Sequence, residues 1–177
     1  SHQSVTTIGK AGMHASQSAS SAVMGGIKVS TPLGDTAFAV RAFRYREAIG
    51  EPFEGVVDVI SPNQEVDLEG LLGQTITVSV PLPAGGTRHF SGICLEARQT
   101  GRLGDAFGYR LLIVPWLRLL DFAADCRIFQ QKNAKEILDQ VFSDLSFTGH
   151  TFAGILGNLP TLEFCAQYDE THLNFVH

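Results

Sequence analysis

Between Thr36 and Val114 the chain repeats one pattern: short runs in which every second residue is apolar, separated by glycine or proline breaks. The cleanest run is Thr75 to Val80, with Ile76, Val78 and Val80 alternating with Thr75, Thr77 and Ser79. A two-residue period puts one set of side chains on each face of a strand, so each run has one face to bury. Thr36 to Arg46 reads the same way. It places Phe38, Val40 and Ala42 on one face and Ala39, Arg41, Phe43 and Tyr45 on the other. Phe53 to Ile60 is the next strand, closed by Ser61-Pro-Asn63. Arg88 to Arg98 follows, with Phe90, Gly92 and Cys94 opposed to Ile93, Leu95 and Ala97. Gly101 to Gly104 turns it into a hairpin with the run from Phe107 to Val114. About six strands at short spacing predict a curled or barrel-like antiparallel sheet.

One segment breaks this period. Ala134, Ile137, Leu138, Val141, Phe142 and Leu145 fall at i, i+3, i+4, i+7, i+8 and i+11, one face of an amphipathic helix. Asn133 and Glu136 supply a capping box at its start. Lys132 with Glu136, and Lys135 with Asp139, form i,i+4 pairs on the wet side. The run before it, Leu111 to Val114, is apolar on consecutive residues and reads as a central strand covered on both faces. Pro115 ends it. Trp116, the single tryptophan, reads as a core anchor beside Leu111 and Ile113, with Phe129, Ile137, Leu138, Val141 and Phe142 completing the expected core. The fold class is therefore mainly β with α (α+β): a barrel-like antiparallel sheet with an appended helix.

Smaller signals place turns. Pro32 to Asp35 reads as a turn, Asp67 to Gly73 as a short helical turn ended by glycine, and Gly85-Gly86 as a loop tip. Residues 1–26 read as a flexible tail, with His2 and His14 in solvent and Met13 as a native start after residues left from expression. Mass spectrometry of the native protein tests that start. Residues 27–160 read as the first domain. The stretch 161–177 reads as a linking strand, Leu162 to Ala166, followed by the start of a second domain, where a helical pattern opens at Tyr168 with Thr171 as a cap.

Reactive chemistry is sparse. Cys94, Cys126 and Cys165 are widely spaced and read as buried free thiols. His89, His150 and His172 lie far apart, in no metal-ligand spacing. Asp169-Glu170-Thr171-His172 puts acids beside a histidine, but a solvated helix start accounts for it. No catalytic residue, cofactor or metal site is expected, nor is an enzyme. A formal net charge of −5 with scattered basic residues argues against nucleic acid. No apolar run approaches a membrane span, and no signal peptide opens the chain. Solvent-exposed aromatics, which a sugar-binding barrel would need, are not evident.

The order of blocks is nevertheless distinctive. FRYREAIGEPF at Phe43 to Phe53 precedes LLGQTITVSV, RHFSGI, PWLRLLDFAADCRIFQ, the helix EILDQVF, and QYDETHLNF at Gln167 to Phe175. From Ile27 to His177 this resembles the N-terminal, phage hub-like region of VgrG, the spike protein of the type VI secretion system. PWLRLLDFAADCRIFQ and QYDETHLNF carry most of the specificity. Two positions depart from the family: Tyr45-Arg46 where glycine is common before Glu47-Ala48, and Ser91 where histidine is common before Gly92. The resemblance implies a homotrimer whose paired barrels make a pseudo-six-fold ring. It implies docking on the hexameric Hcp tube and delivery of secreted effectors or adaptors. It also implies residence in the bacterial cytoplasm before firing and secretion through the type VI apparatus afterwards. Gln167, Tyr168, Asn174 and Phe175 become candidate inter-domain or subunit contacts. The same fold would serve a contractile-phage baseplate hub, and a cell-wall hydrolase is the alternative from another class.

Overall fold

The computed structural model describes residues 26–145 and 158–176, with 4–7 as backbone and two single positions, 152 and 154. Its elements are β1 (Ser4–Thr7), β2 (Lys28–Ser30), β3 (Ala39–Ala48), β4 (Glu51–Ser61), β5 (Thr75–Pro81), β6 (Thr87–Leu103), β7 (Ala106–Val114), β8 (Ala124–Lys132), α1 (Ala134–Asp144), β9 (Leu162–Thr171) and α2 (His172–Val176). They divide into two compact units, Ser1–Leu117 and Arg118–His177. The expected boundary at 160/161 is not where the contacts divide. α1 sits with β8, and β8 pairs with β9, so helix and ribbon form one body.

The first unit is a seven-stranded antiparallel sheet in the order β1-β3-β4-β7-β6-β5-β2. β2, at one end, also lies beside β3 near the other, so the sheet is curled. The alternation in β5 holds: Ile76 and Val78 are fully buried and Val80 nearly so. Two bulges correct the simple alternation elsewhere. Val40 pairs Val59 while Ala42 pairs Asp58, so Arg41 is an extra residue and Phe43 returns to the face of Val40. Likewise Cys94 pairs Ile113 and Glu96 pairs Leu112, so Leu95 is extra and Ala97 joins Phe90 and Cys94 against the core. The β6–β7 turn is tighter than Gly101 to Gly104: Leu103 pairs Ala106, leaving the two-residue loop Gly104-Asp105, with Gly104 at φ 65°. One stretch read as tail is paired, Ser4–Thr7 against Arg44–Glu47 of β3. The other residues of that tail, apart from Gly26, lie outside the described residues, as do His150 and most of the loop around it.

β7 is the middle strand, as expected; its inner face is buried at Tyr109, Leu111 and Ile113, while its outer face is covered only at the strand's end, where Val114 is fully buried. Leu111 and Ile113 are fully buried, whereas Leu112 is half-buried. The same outer face carries an ion-pair ladder across β3, β4 and β7. The Arg110 guanidinium donates from Nε and Nη2 to the two Asp58 oxygens at 2.6 and 3.1 Å, and Arg44 reaches Asp58 at 3.4 Å. That bidentate bond raises the Arg110 pKa further above its ordinary value. On the inner face the Tyr109 hydroxyl donates to the carbonyls of Asn63 and Gln64 at 2.7 and 2.9 Å, so its buried polar tip is satisfied and the loop after β4 is fastened to the core. Trp116 is only half-buried, in a 3-10 turn over Trp116–Phe122, within which the sequence passes from the first unit to the second.

In the second unit α1 packs its periodic face inward, with Ile137, Val141 and Phe142 buried. Leu138 is half-buried and Ala134 exposed, because the stripe is narrower than its period suggested. The capping box forms as read: the Asn133 side chain accepts from the Glu136 N–H at 3.0 Å, and Glu136 accepts from the Asn133 N–H at 2.8 Å. Lys135 bonds Asp139 at 2.9 Å, while Lys132 reaches Gln140 and not Glu136. Asn133→Ala is expected to cost about 0.5–2 kcal/mol, read as a lowered urea midpoint for the unit that holds α1.

Candidate functional site

Ala124–Lys132, between the sheet and the helix, is a strand that the sequence reading does not name. Ile128 pairs Ala166, Gln130 pairs Phe164 and Lys132 pairs Leu162, so β8 and β9 form a two-stranded ribbon among the described residues. Its faces differ. Phe129 and Gln167 point inward, 3% and 1% exposed. Outward stand Ile128 at 71%, Phe164 at 68% and Leu162 at 38% exposure, and Tyr168, two residues beyond Ala166, is 81% exposed. Phe122, in the turn before β8, is also largely exposed. Ile128 and Phe164 are diagonal neighbours in the register, close enough to form one apolar patch. Scattered exposed apolar residues are ordinary; several on one face of a ribbon with two open edges are not. Exposed aromatics are thus present, against the sequence reading.

Of the four residues expected at contacts, only Tyr168 projects outward in this way. Gln167 is buried, its amide nitrogen donating to the Glu170 carbonyl and meeting His172 Nδ1, both at 3.1 Å. Phe175 stacks on Phe129 with ring centroids 5.7 Å apart. Asn174 is exposed, but its side-chain amide bonds Glu170 and its N–H bonds Thr171 Oγ1 at 3.1 Å, which makes Thr171 the expected helix cap. Phe164 was legible in principle from the alternation of its own run, Ile128 only once β9 defines the faces of β8. Both lie on the alternate positions of runs whose opposite positions are Phe129, Cys165 and Gln167.

A β-bulge shapes the ribbon's end. Asp125 pairs Glu170 and Arg127 pairs Gln167, so Cys126 opposes both Tyr168 and Asp169. Asp169 adopts φ 47°, in the left-handed region. The helix starts only at His172, later than the pattern from Tyr168 suggested, because β9 runs on to Thr171. His172 is buried, not solvated. Burial and, after it, the Arg127 guanidinium hold its imidazole below the ordinary value, with Asp125 and Asp144 acting in the opposite direction. The thiols also divide: Cys94 is buried and pushed up to about 11 by that burial, Cys126 is exposed and Cys165 half-buried.

Hydrolytic chemistry would need a histidine and an acid converging on a cleft. His172 Nδ1 faces an amide in a packed interior. His89 Nδ1 lies 2.9 Å from Ser79 Oγ, but the pair is an exposed cross-strand contact on the outer sheet face. Among the described residues no group of His, Cys, Asp or Glu has metal-binding geometry, and no helix is long and apolar enough to cross a membrane.

Comparison with known proteins points one way. Residues 46–177 match the model of the phage tail baseplate hub (GPD) family. The chain is 36% identical over 150 residues to the type VI secretion system spike protein VgrG1b of Pseudomonas aeruginosa and 34% identical over 150 residues to VgrG1c of the same organism. Each match covers 85% of this chain and 20% of the relative, so the chain spans about a fifth of those proteins. Among solved structures, an Escherichia coli component of the type VI secretion system matches with a TM-score of 0.58 at 18% identity, over 85% of this chain and 37% of that one; it is described as structurally similar to the T4 bacteriophage tail proteins gp27 and gp5.

Proposed function

We propose, because this chain belongs to the phage tail baseplate hub family and to its VgrG spike branch, that it supplies one wall of a trimeric hub. The hub docks on an Hcp-like hexameric tube and helps deliver effectors or adaptors. It waits in the bacterial cytoplasm and leaves through the type VI apparatus. The observation that carries this reading is the apolar outer face of the β8–β9 ribbon. A ring subunit needs a stiff sheet to set geometry and an uncovered apolar face to meet its neighbours, and it needs no reactive cluster. In this reading the ribbon opens the second, related barrel, and Tyr168 with Phe164 and Ile128 meets the rest of the spike. Gln167, Asn174 and Phe175 act from within, by holding the ribbon's end in shape.

The test is a chain extended to the length of its relatives. It is expected to sediment as a trimer and to bind Hcp-like hexamers in pull-down and electron micrographs. A stable monomer that ignores the hexamers overturns the proposal. A contractile-phage tail hub is the second reading, favoured by the family model itself; genes for a phage capsid and tail beside this one would select it.

A further inference from the structure

We propose that the buried Gln167–His172 pair is an acid-sensitive latch, closing the corner of β8, β9, α1 and α2 while His172 is neutral and loosening it when His172 takes up a proton. The geometry admits only one protonation state without loss. The Gln167 amide nitrogen donates to both the Glu170 carbonyl and His172 Nδ1, so Nδ1 is a bare acceptor and the ring proton sits on Nε2. Gln167 Oε1 is buried with no hydrogen-bond partner. A proton on Nδ1 would face an N–H donor. Turning the amide over would offer it Oε1, but would then set Oε1's former place against nothing but the displaced nitrogen and strip the Glu170 carbonyl of its donor. Either way a buried hydrogen bond is lost.

The charged surroundings do not rescue the imidazolium. From β8, Arg127 repels it. Asp125 of β8 and Asp144 of α1 attract it, but Arg127 already binds both, at 2.5 and 2.8 Å. From β9, the Glu170 carboxylate is bonded to Asn174. The His172 backbone N–H is held by the Ala123 carbonyl at 2.9 Å, which fastens the start of α2 to the chain before β8. Burial and Arg127 depress the native pKa below 6.5. The sign follows. An unfolded His172 binds its proton first, so the latch is complete above the unfolded value. Its contribution is lost as pH falls below 6.5 and through the native pKa.

This inference stands apart from the hub assembly and is tested on the chain itself. Hydrogen exchange of β8 and β9 amides, corrected for intrinsic rates and referenced to β4 and β7 amides in the same sample, is measured from pH 7.5 to 4.5. Excess opening of the ribbon is expected to rise about tenfold per pH unit between the unfolded and native His172 pKa values. The His172 ring carbons should titrate below 6.5 in the same sample. In His172→Gln the excess should vanish; in Gln167→Glu, whose carboxylate accepts from Nδ1–H, the His172 midpoint should rise. A His172 midpoint at or above 6.5, or a ribbon that opens no more than the sheet in wild type, overturns the proposal, even should both variants fail to fold. So does an undiminished excess in a folded His172→Gln.

Discussion

Leu111→Ala is expected to remove about 2–5 kcal/mol from the stability of the seven-stranded unit, a large part of the 5–15 kcal/mol or so that a domain possesses. Leu111 is fully buried on β7, the middle strand, between Val57 of β4 and Ala97 of β6. Its loss leaves a cavity lined by a sheet that cannot collapse, because each neighbouring strand is pinned by its own ladder. The adjacent Leu112 is half-buried on the opposite face, beside the Arg110–Asp58 pair. Leu112→Ala should cost less than half as much. Urea unfolding followed by circular dichroism checks both, read on the transition that belongs to the sheet, with the midpoint falling and the slope held constant. Equal losses at the two positions would mean that the outer face is covered at Leu112 as it is at Val114, which the consecutive apolar residues suggest and the exposure of Leu112 denies.

That contrast explains where the sequence was readable. Leu111 to Val114 looks like a strand buried on both sides; that holds at Val114 and not at Leu112, because composition does not say which apolar side chains meet a second layer. Ile76, Val78 and Val80 were assigned to the right face because β5 has no bulge. Phe43 and Ala97 were not, because one extra residue, Arg41 or Leu95, inverts every later side chain, and a bulge has no periodic signature. α1 was legible down to its Asn133–Glu136 box, since helix signals are local. β8 was missed because its inward residues, Arg127 and Phe129, alternate with Ile128 and Gln130 in no polar–apolar order; only its partner β9, more than thirty residues away, defines its faces. The same cause hid His172. A histidine after Asp-Glu-Thr looks like a solvated helix start. It is buried because β9 extends three residues past Tyr168, the expected helix start, and delivers the ring beside Gln167. The family was legible from block order, since PWLRLLDFAADCRIFQ and QYDETHLNF are the two sides of this one ribbon and its flanks.

Phe164→Asp combined with Tyr168→Asp is expected to leave this chain folded and to abolish assembly of the spike-length protein. Both side chains are more than two-thirds exposed, so their removal uncovers little and the chain's own stability should move by no more than about 0.5 kcal/mol per site. Assembly is another matter if these aromatics are anchors. Buried aromatic anchors at an interface are worth about 2 kcal/mol or more each, roughly thirtyfold per site in the dissociation constant. Two new carboxylates would have to be desolvated as well, with Lys132 the basic residue at the far end of the ribbon register. Sedimentation of the extended chain should therefore shift from trimer to monomer in the double variant, and Hcp-like hexamers should no longer be retained. Glu163→Gln, one residue from Phe164, controls for altered charge and should assemble normally. A double variant that still forms trimers would show that the apolar face is an ordinary solvated surface, and the ribbon would then owe its place in the hub to its open edges, where backbone groups and not side chains do the joining.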